Sequence, residues 1–308
     1  MDVRTILRQE IQGLWGDGKG TSLAAVAIAW GLLNGARMVY PVIIPYLQTD
    51  FDLSLTVAGS LVSVLWFFAA IGQFPGGMLA DRYNERSLMI VSTAIVAVAL
   101  GLVISSSSPI ILFAATAVWG LGHSLYPIAR ITFLSNIYSD RLGSALGVTM
   151  ATGDIGQTVL PPVATVLAAV IAWQIGLGFI VPILVLAGVA IFATSRTQRS
   201  RERSTSAQSI RDTLDVVTEL RNPTIGFMTG ILFLYMFIWQ SFTTFYPTYL
   251  TSIKGVSASV AGILFGFFFA VGVVVKPVAG AAYDRIGMRQ SLIGILTPAV
   301  AGFFFLPL

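Results

Sequence analysis

The chain has no cysteine and a single histidine, and only 10% of its 308 residues are charged. Without cysteine there are no disulfides, no thiolate metal sites and no thiol nucleophile. One imidazole, His123, excludes zinc sites that need several. A soluble domain carries about 25% charged residues, so most of the charge that a water-facing surface needs is missing. Apolar residues take its place, at 56% of the chain with a mean hydropathy of +0.83. Composition therefore predicts an all-α membrane protein, because an open sheet would leave backbone groups unpaired in lipid. The glycine-rich phosphate loop of an ATP-driven pump is absent. Gly122, His123 and Ser124 are adjacent on one helix and cannot form a facing serine–histidine pair, so an enzyme is not expected. No cofactor and no metal site are expected either.

Nine apolar segments are long enough to cross a bilayer, at about 20 residues per span. They cover residues 21–47, 57–80, 88–104, 110–137, 142–171, 175–193, 224–250, 258–283 and 291–308, and the third, at 17 residues, is the shortest. Residues 1–20 form a polar segment without the apolar stretch of a signal peptide. Val3, Leu7, Ile11 and Leu14 recur there at helical spacing, which predicts a short helix lying on the membrane surface. The net charge of +4 does not point to nucleic acid, because the basic residues lie on one side of the predicted membrane. Fourteen of the eighteen Lys and Arg fall in alternate loops beginning with the N-terminal segment, and only Lys254 falls in the opposite loops. The remaining three, Arg37, Arg130 and Lys276, lie inside spans. That asymmetry predicts a cytoplasmic N-terminus; a plasma-membrane location and a monomer are also expected.

The sequence also repeats itself. A shift of 203 residues places Tyr46 and Leu47 on Tyr249 and Leu250, Ser54 on Ser257, and Val57, Ala58 and Gly59 on Val260, Ala261 and Gly262. Gly77 falls on Gly280, Asp81 and Arg82 on Asp284 and Arg285, and Arg86 on Arg289. The repeat unit contains six spans, an even number, so both copies cross the membrane in the same direction. Parallel six-helix repeats are one transporter architecture, with the site between the halves near mid-membrane. The domains then read as a bundle over 21–193, a linker over 194–223 with a short amphipathic helix through Ile210, Leu214 and Val217, and a partial bundle over 224–308. A second copy of equal length would run to about residue 398, so about nine of twelve helices are expected and the chain reads as a piece of a longer protein.

The run from Gly77 through Asp81 and Arg82 to Arg86 resembles the gating signature of the major facilitator superfamily, and Gly280, Asp284, Arg285 and Arg289 form its second-half echo. In the first copy Asn84 stands where the family usually has glycine, and asparagine also tolerates the left-handed conformation. Glu85 replaces a usual basic residue. Arg37, Pro45 and the run Gly72, Gln73, Phe74, Pro75, Gly76, Gly77 resemble the anion:cation symporter branch, which carries sugar acids and related organic anions. Ala36, Thr116 and His123 stand where that branch commonly has ionisable residues. Gly147, Gly156 and Pro161 weakly resemble a motif of proton-coupled drug exporters, but Leu160, Ala164 and Thr165 replace three of its glycines. The superfamily resemblance implies a secondary active transporter working by alternating access. It also implies that Asp284 meets the start of the fifth helix near Leu142 to Ser144, while Asp81 meets a helix beyond residue 308. A non-transporting sensor or an inactive remnant stays open.

Charges inside the bilayer are expensive and default to function. At 1.5 Å per residue Arg37 lies about 24 Å from the start of its segment, His123 about 21 Å from the cytoplasmic end of the fourth, and Asp154 about 18 Å into the fifth. Arg130 and Lys276 lie about 10 Å from a membrane face, within snorkelling reach. Arg37, Arg130, Gln157, Gln240 and Lys276 are the candidate substrate-binding residues, and Asp154 and His123 the candidates for proton coupling. Both alternatives remain for the last two, since Asp154 can neutralise an arginine and His123 can be a buried neutral ring. Three cations against one acid favour an anionic substrate. Gln240 falls on Arg37 under the repeat. The aromatic run around Tyr235, Trp239 and Phe245 reads as packing and interface anchoring. Glycine pairs four apart, at 31/35, 143/147, 226/230 and 262/266, read as close helix crossings.

Overall fold

The computed structural model describes residues 14–16, 19–139, 141–194 and 223–270, with single helical positions at 294 and 297, and the backbone alone at 81, 82 and 224. Lys276, Gly280, Asp284, Arg285 and Arg289 lie outside the described residues, as do the linker helix and most of the ninth segment. The described chain is helical throughout. Its helices are α1 (Lys19–Phe51), α2 (Leu55–Arg82), α3 (Glu85–Ile104), α4 (Pro109–Ile137) and α5 (Leu142–Val170). A broken sixth span follows as α6 (Trp173–Gly178) and α7 (Ile180–Thr194), then α8 (Pro223–Ser252) and α9 (Ala258–Ala270). Among the described residues seven spans are long and apolar enough to cross a membrane, with α6 and α7 counted as one.

Polar residues at the helix ends set the boundaries. Ser54, Ser108 and Asn84 cap α2, α4 and α3 by accepting the backbone N–H of Val57, Ile111 and Arg86, which satisfies donors that a helix start leaves open. Pro109 occupies the first position of α4, where a missing N–H costs nothing. The Asn84 cap corrects two expectations. It makes α3 20 residues long, starting at Glu85 rather than 88. Asn84 itself is extended, at φ −66° and ψ 134°, so the glycine-like left-handed turn expected there does not form. Among the described residues the left-handed positions are instead Asp52 (φ 50°) and Gly255 (φ 67°), which the repeat superposes. Asp52 ends α1, with the Leu53 N–H donating to the Gln48 carbonyl across the turn. Ser54 and Ser257 then cap the next helices in the same way. The internal repeat is thus visible in backbone geometry as well as in residue identity.

Successive helices run up and down. Ser22 at the start of α1 donates to the Thr194 carbonyl at the end of α7, and Tyr138 after α4 donates to the Leu14 carbonyl at 2.9 Å. This side is the N-terminal face. On the opposite face the Trp173 indole N–H donates to Asp50. Leu14 is buried and belongs to the bundle core, so the end of the N-terminal segment is docked into the protein and does not lie on a membrane surface. Burial also pushes the Tyr138 hydroxyl up to about 12, so it remains a donor at any physiological pH.

The first six spans pack chiefly as α1 on α5, α2 on α4, α3 on α4 and α7, and α1 on α7, while α8 leans on α1. The α1–α5 crossing is the tightest. A Cβ on Gly156 would overlap the Gly31 carbonyl, and one on Gly31 would come within 2.7 Å of the Thr152 carbonyl oxygen. Two backbones can approach this closely only where neither carries a side chain. At Gly143, Gly147 and Gly230 no described atom lies within 4 Å of such a Cβ, so those positions are not crossings among the described residues. Between the halves, α9 sets Gly262 and Gly266 against Thr165 and Pro162 of α5, and Gly59 of α2 faces the Phe245 ring of α8. The stretch of α8 from Phe227 to Ile238 has no buried residue, whereas Thr243, Thr244 and Thr248 are buried. The described contacts between the halves therefore lie toward the face opposite the N-terminus.

Candidate functional site

A cavity of about 620 Å³ opens between α2 and α8, that is, between the two repeat halves. One wall is α2, with Thr56, Ser60, Ser63 and Trp66 recurring along one helix face. The other is α8, with Phe237, Gln240, Ser241, Thr244 and Phe245. Gln240, chosen from sequence as an amide able to orient a ligand, stands in this wall and donates to Thr244 Oγ1 at 3.1 Å. Phe245, read from sequence as packing, does pack on Gly59 and lines the cavity as well. Trp239 does pack, against Phe268 and Phe269.

Arg37 does not line the cavity but packs on a tryptophan that does. Its guanidinium lies 4.3 Å over the Trp66 ring, and Trp66 is a wall residue. One Nη donates to Asn34 Oδ1, and Asn34 Nδ2 donates in turn to the Trp30 carbonyl at 2.8 Å, fixing the amide's orientation. Among the described residues no carboxylate pairs with Arg37, and its Nε is buried without an acceptor. A guanidinium is always charged and presents a planar fork of donors. Held by a π face and one neutral oxygen, this one keeps donors for an anion.

A second cation sits one layer nearer the N-terminal face. Arg130 lies 4.1 Å over Trp30 and donates to Thr149 of α5. It is 2% exposed, so it does not snorkel as its depth allowed, because Trp30 and Thr149 hold it inward. His123 stacks on the same tryptophan at 6.1 Å between centroids, 14° from parallel, and is 3% exposed with Nδ1 unpartnered. Tyr126 joins the stack and donates to the Val26 carbonyl. Trp30 thus gathers His123, Tyr126 and Arg130, three residues on one face of α4. The His123 ring is enclosed in this cluster.

Asp154 and Gln157 stand on α5, both partly exposed. Gln157 donates to the Asp154 carboxylate and the Gly153 carbonyl, each at 3.4 Å. They belong neither to the Trp30 cluster nor to the cavity wall. Of the gating signature, Asp81 and Arg82 are described by backbone only, and no described atom lies within 4 Å of a Cβ built at Gly77. Arg86 donates to the Phe192 carbonyl and lies 4.6 Å over the Phe192 ring, tying the start of α3 to the end of α7. Glu85 accepts from Asn136 at 3.1 Å. The expected meeting of Asp284 with the start of α5 lies outside the described residues.

Sequence reasoning missed Trp30, Asn34 and Trp66. Trp30, Asn34 and Arg37 do share one face of α1, at spacings of four and three. That signal was available, but tryptophan in a membrane helix more commonly packs or anchors, so it did not stand out.

Comparison with known proteins agrees with this architecture. The family signature of the Major Facilitator Superfamily matches residues 25–308. The chain is 21% identical over 267 residues to a hexuronate transporter of Bacillus subtilis, covering 84% of this chain and 63% of that one. It is 25% identical over 277 residues to a probable sulfoacetate transporter, SauU, of Cupriavidus necator, covering 86% and 64%. It is 21% identical over 272 residues to a probable nitrate transporter, NarT, of Staphylococcus epidermidis, covering 88% and 67%. The chain thus spans about two thirds of the length of the curated relatives it matches. The fold is similar to a bacterial homologue of the human lysosomal transporter Spinster in an inward-facing, unoccupied conformation, with a TM-score of 0.74 at 16% identity over 88% of this chain and 63% of that one. It is also similar to a variant of the nucleoside transporter NupG, with a TM-score of 0.72 at 14% identity over 86% and 69%.

Proposed function

Since the chain belongs to the Major Facilitator Superfamily, we propose that it is a secondary active carrier of a small organic anion, working by alternating access with ion coupling. The observation that carries this reading is Arg37, a permanent cation deep in α1 that has no carboxylate partner among the described residues and lies against a cavity wall. A buried charge without a counter-ion is unfavourable in lipid. An anion arriving in the cavity supplies the missing charge. The relatives named for hexuronate, sulfoacetate and nitrate support an anion over a cationic drug. Gln240 faces the same cavity from the other half, as expected of a site shared by two repeats. Arg130 serves as a second positive station between that cavity and the N-terminal face. The Lys/Arg asymmetry supports a plasma-membrane protein with that face in the cytoplasm.

The test is uptake by the intact protein in liposomes. Loss of two charge-assisted hydrogen bonds corresponds to about a hundredfold or more in rate, so Arg37→Ala is expected to remove anion uptake while the protein still inserts. Arg37→Lys should recover only part, because an ammonium lacks the fork. Undiminished anion uptake by Arg37→Ala, together with efflux of a cationic drug, contradicts the proposal.

For coupling, Asp154 is the better candidate, since it is partly exposed and His123 is enclosed. Asp154→Asn should abolish accumulation driven by a pH gradient and leave exchange intact. Full gradient-driven accumulation by that variant transfers the role elsewhere.

A further inference from the structure

We propose that the cavity between α2 and α8 selects a monovalent carboxylate with a flat apolar body, such as an aromatic acid, over inorganic anions and over polyhydroxylated acids. The inference rests on the carrier reading above and names its substrate class.

Three aromatic rings stand in the wall, Trp66 from one half and Phe237 and Phe245 from the other, with Leu55 and Val62 beside them. An inorganic ion would leave these surfaces facing water in a space of about 620 Å³. A planar organic body would cover them and gain from burial and stacking.

Of the six polar side chains in the wall, Ser60, Gln240 and Thr244 are committed to their own helices, which leaves Thr56, Ser63 and Ser241 for a ligand. Ser60 donates to the Val57 carbonyl, Thr244 donates to the Gln240 carbonyl, and Gln240 donates back to Thr244 Oγ1. A ligand bearing a hydroxyl on nearly every carbon needs a partner for each, and every unpaired one opposes binding. An apolar body makes no such demand.

The charge count points the same way. Among the described residues the wall contains no ionisable side chain, and Arg37, against Trp66, is the cation beside it. One guanidinium fork matches one carboxylate. A dianion would leave its second charge desolvated and unmatched. Trp66 then has two functions, bearing the guanidinium and walling the apolar body.

The experiment is thermal stabilisation of the purified full chain in detergent by benzoate, glucuronate and nitrate at matched ionic strength. Benzoate is expected to half-saturate at a concentration at least about tenfold below the other two. Trp66→Ala should raise the benzoate half-saturation concentration about tenfold, as expected for a lost aromatic contact in a desolvated site. Should Trp66→Ala not purify, Phe237→Leu carries the same expectation, since Phe237 is 62% exposed and its replacement leaves no hole in the core. Arg37→Ala should abolish stabilisation by all three anions. Tighter binding of glucuronate or nitrate than benzoate overturns the substrate class and leaves the anion carrier standing. An unchanged benzoate response in both aromatic variants also overturns it. No stabilisation by any of the three anions, with a monodisperse protein, overturns the carrier reading as well.

Discussion

Replacing Gly156 by alanine should lower the melting temperature sharply and reduce the yield of monodisperse protein, whereas the same change at Gly147 should do neither. A methyl group on Gly156 would overlap the Gly31 carbonyl, and the backbone of α1 has nowhere to retreat, since α1 also packs on α7 and α8. Gly35 and Gly31 seat on the same stretch of α5, at Gly156 and Thr152. Overpacking of this kind costs about 1–3 kcal/mol for one methyl, and here the obstacle is main chain, so the upper end is expected. Gly156→Leu should leave no folded protein. At Gly143 and Gly147 no described atom lies within 4 Å of the added carbon, and alanine should gain up to about 1 kcal/mol from helix propensity alone. Equal melting temperatures for Gly156→Ala and Gly147→Ala would refute the crossing.

That contrast shows how far sequence carries for this protein. Glycine pairs at four-residue spacing mark where a helix is able to approach another, but they do not name the partner. Gly31 and Gly35 find one in α5, and Gly147 finds none among the described residues. Spans were readable because lipid demands long apolar runs, and their ends were not, because caps such as Asn84 are polar residues that hydropathy discards. The repeat was readable through identities 203 residues apart, and Asp52 and Gly255 confirm it in backbone conformation. Arg37 stood out by its depth and by its resemblance to the symporter branch. Its setting did not, because a guanidinium over Trp66 joins two helices through a side-chain contact that no local pattern encodes. Arg130 shows the converse failure: its depth suggested snorkelling, and only the position of Trp30 keeps it inside.

Arg130 provides the sharpest separation of stability from function. It is 2% exposed, supported by the Trp30 face and the Thr149 hydroxyl, with Nε buried and unpartnered and no carboxylate against it among the described residues. Packing needs a long side chain here, but it does not need a charge. Replacing a buried ionic group by an apolar one of similar volume is commonly neutral or stabilising. Arg130→Met should therefore melt at or above the parent temperature, gaining about 1 kcal/mol. Transport should move in the opposite direction, with uptake falling about a hundredfold if the cation is a station on the anion's path. Arg130→Lys should lie between the two, retaining the charge but losing the planar stack on Trp30. A purely structural arginine gives the reverse pattern, with Arg130→Met melting lower and normal uptake per folded molecule. A buried cation that stability does not require is retained for what it binds, and the two measurements on one variant decide whether Arg130 is of that kind.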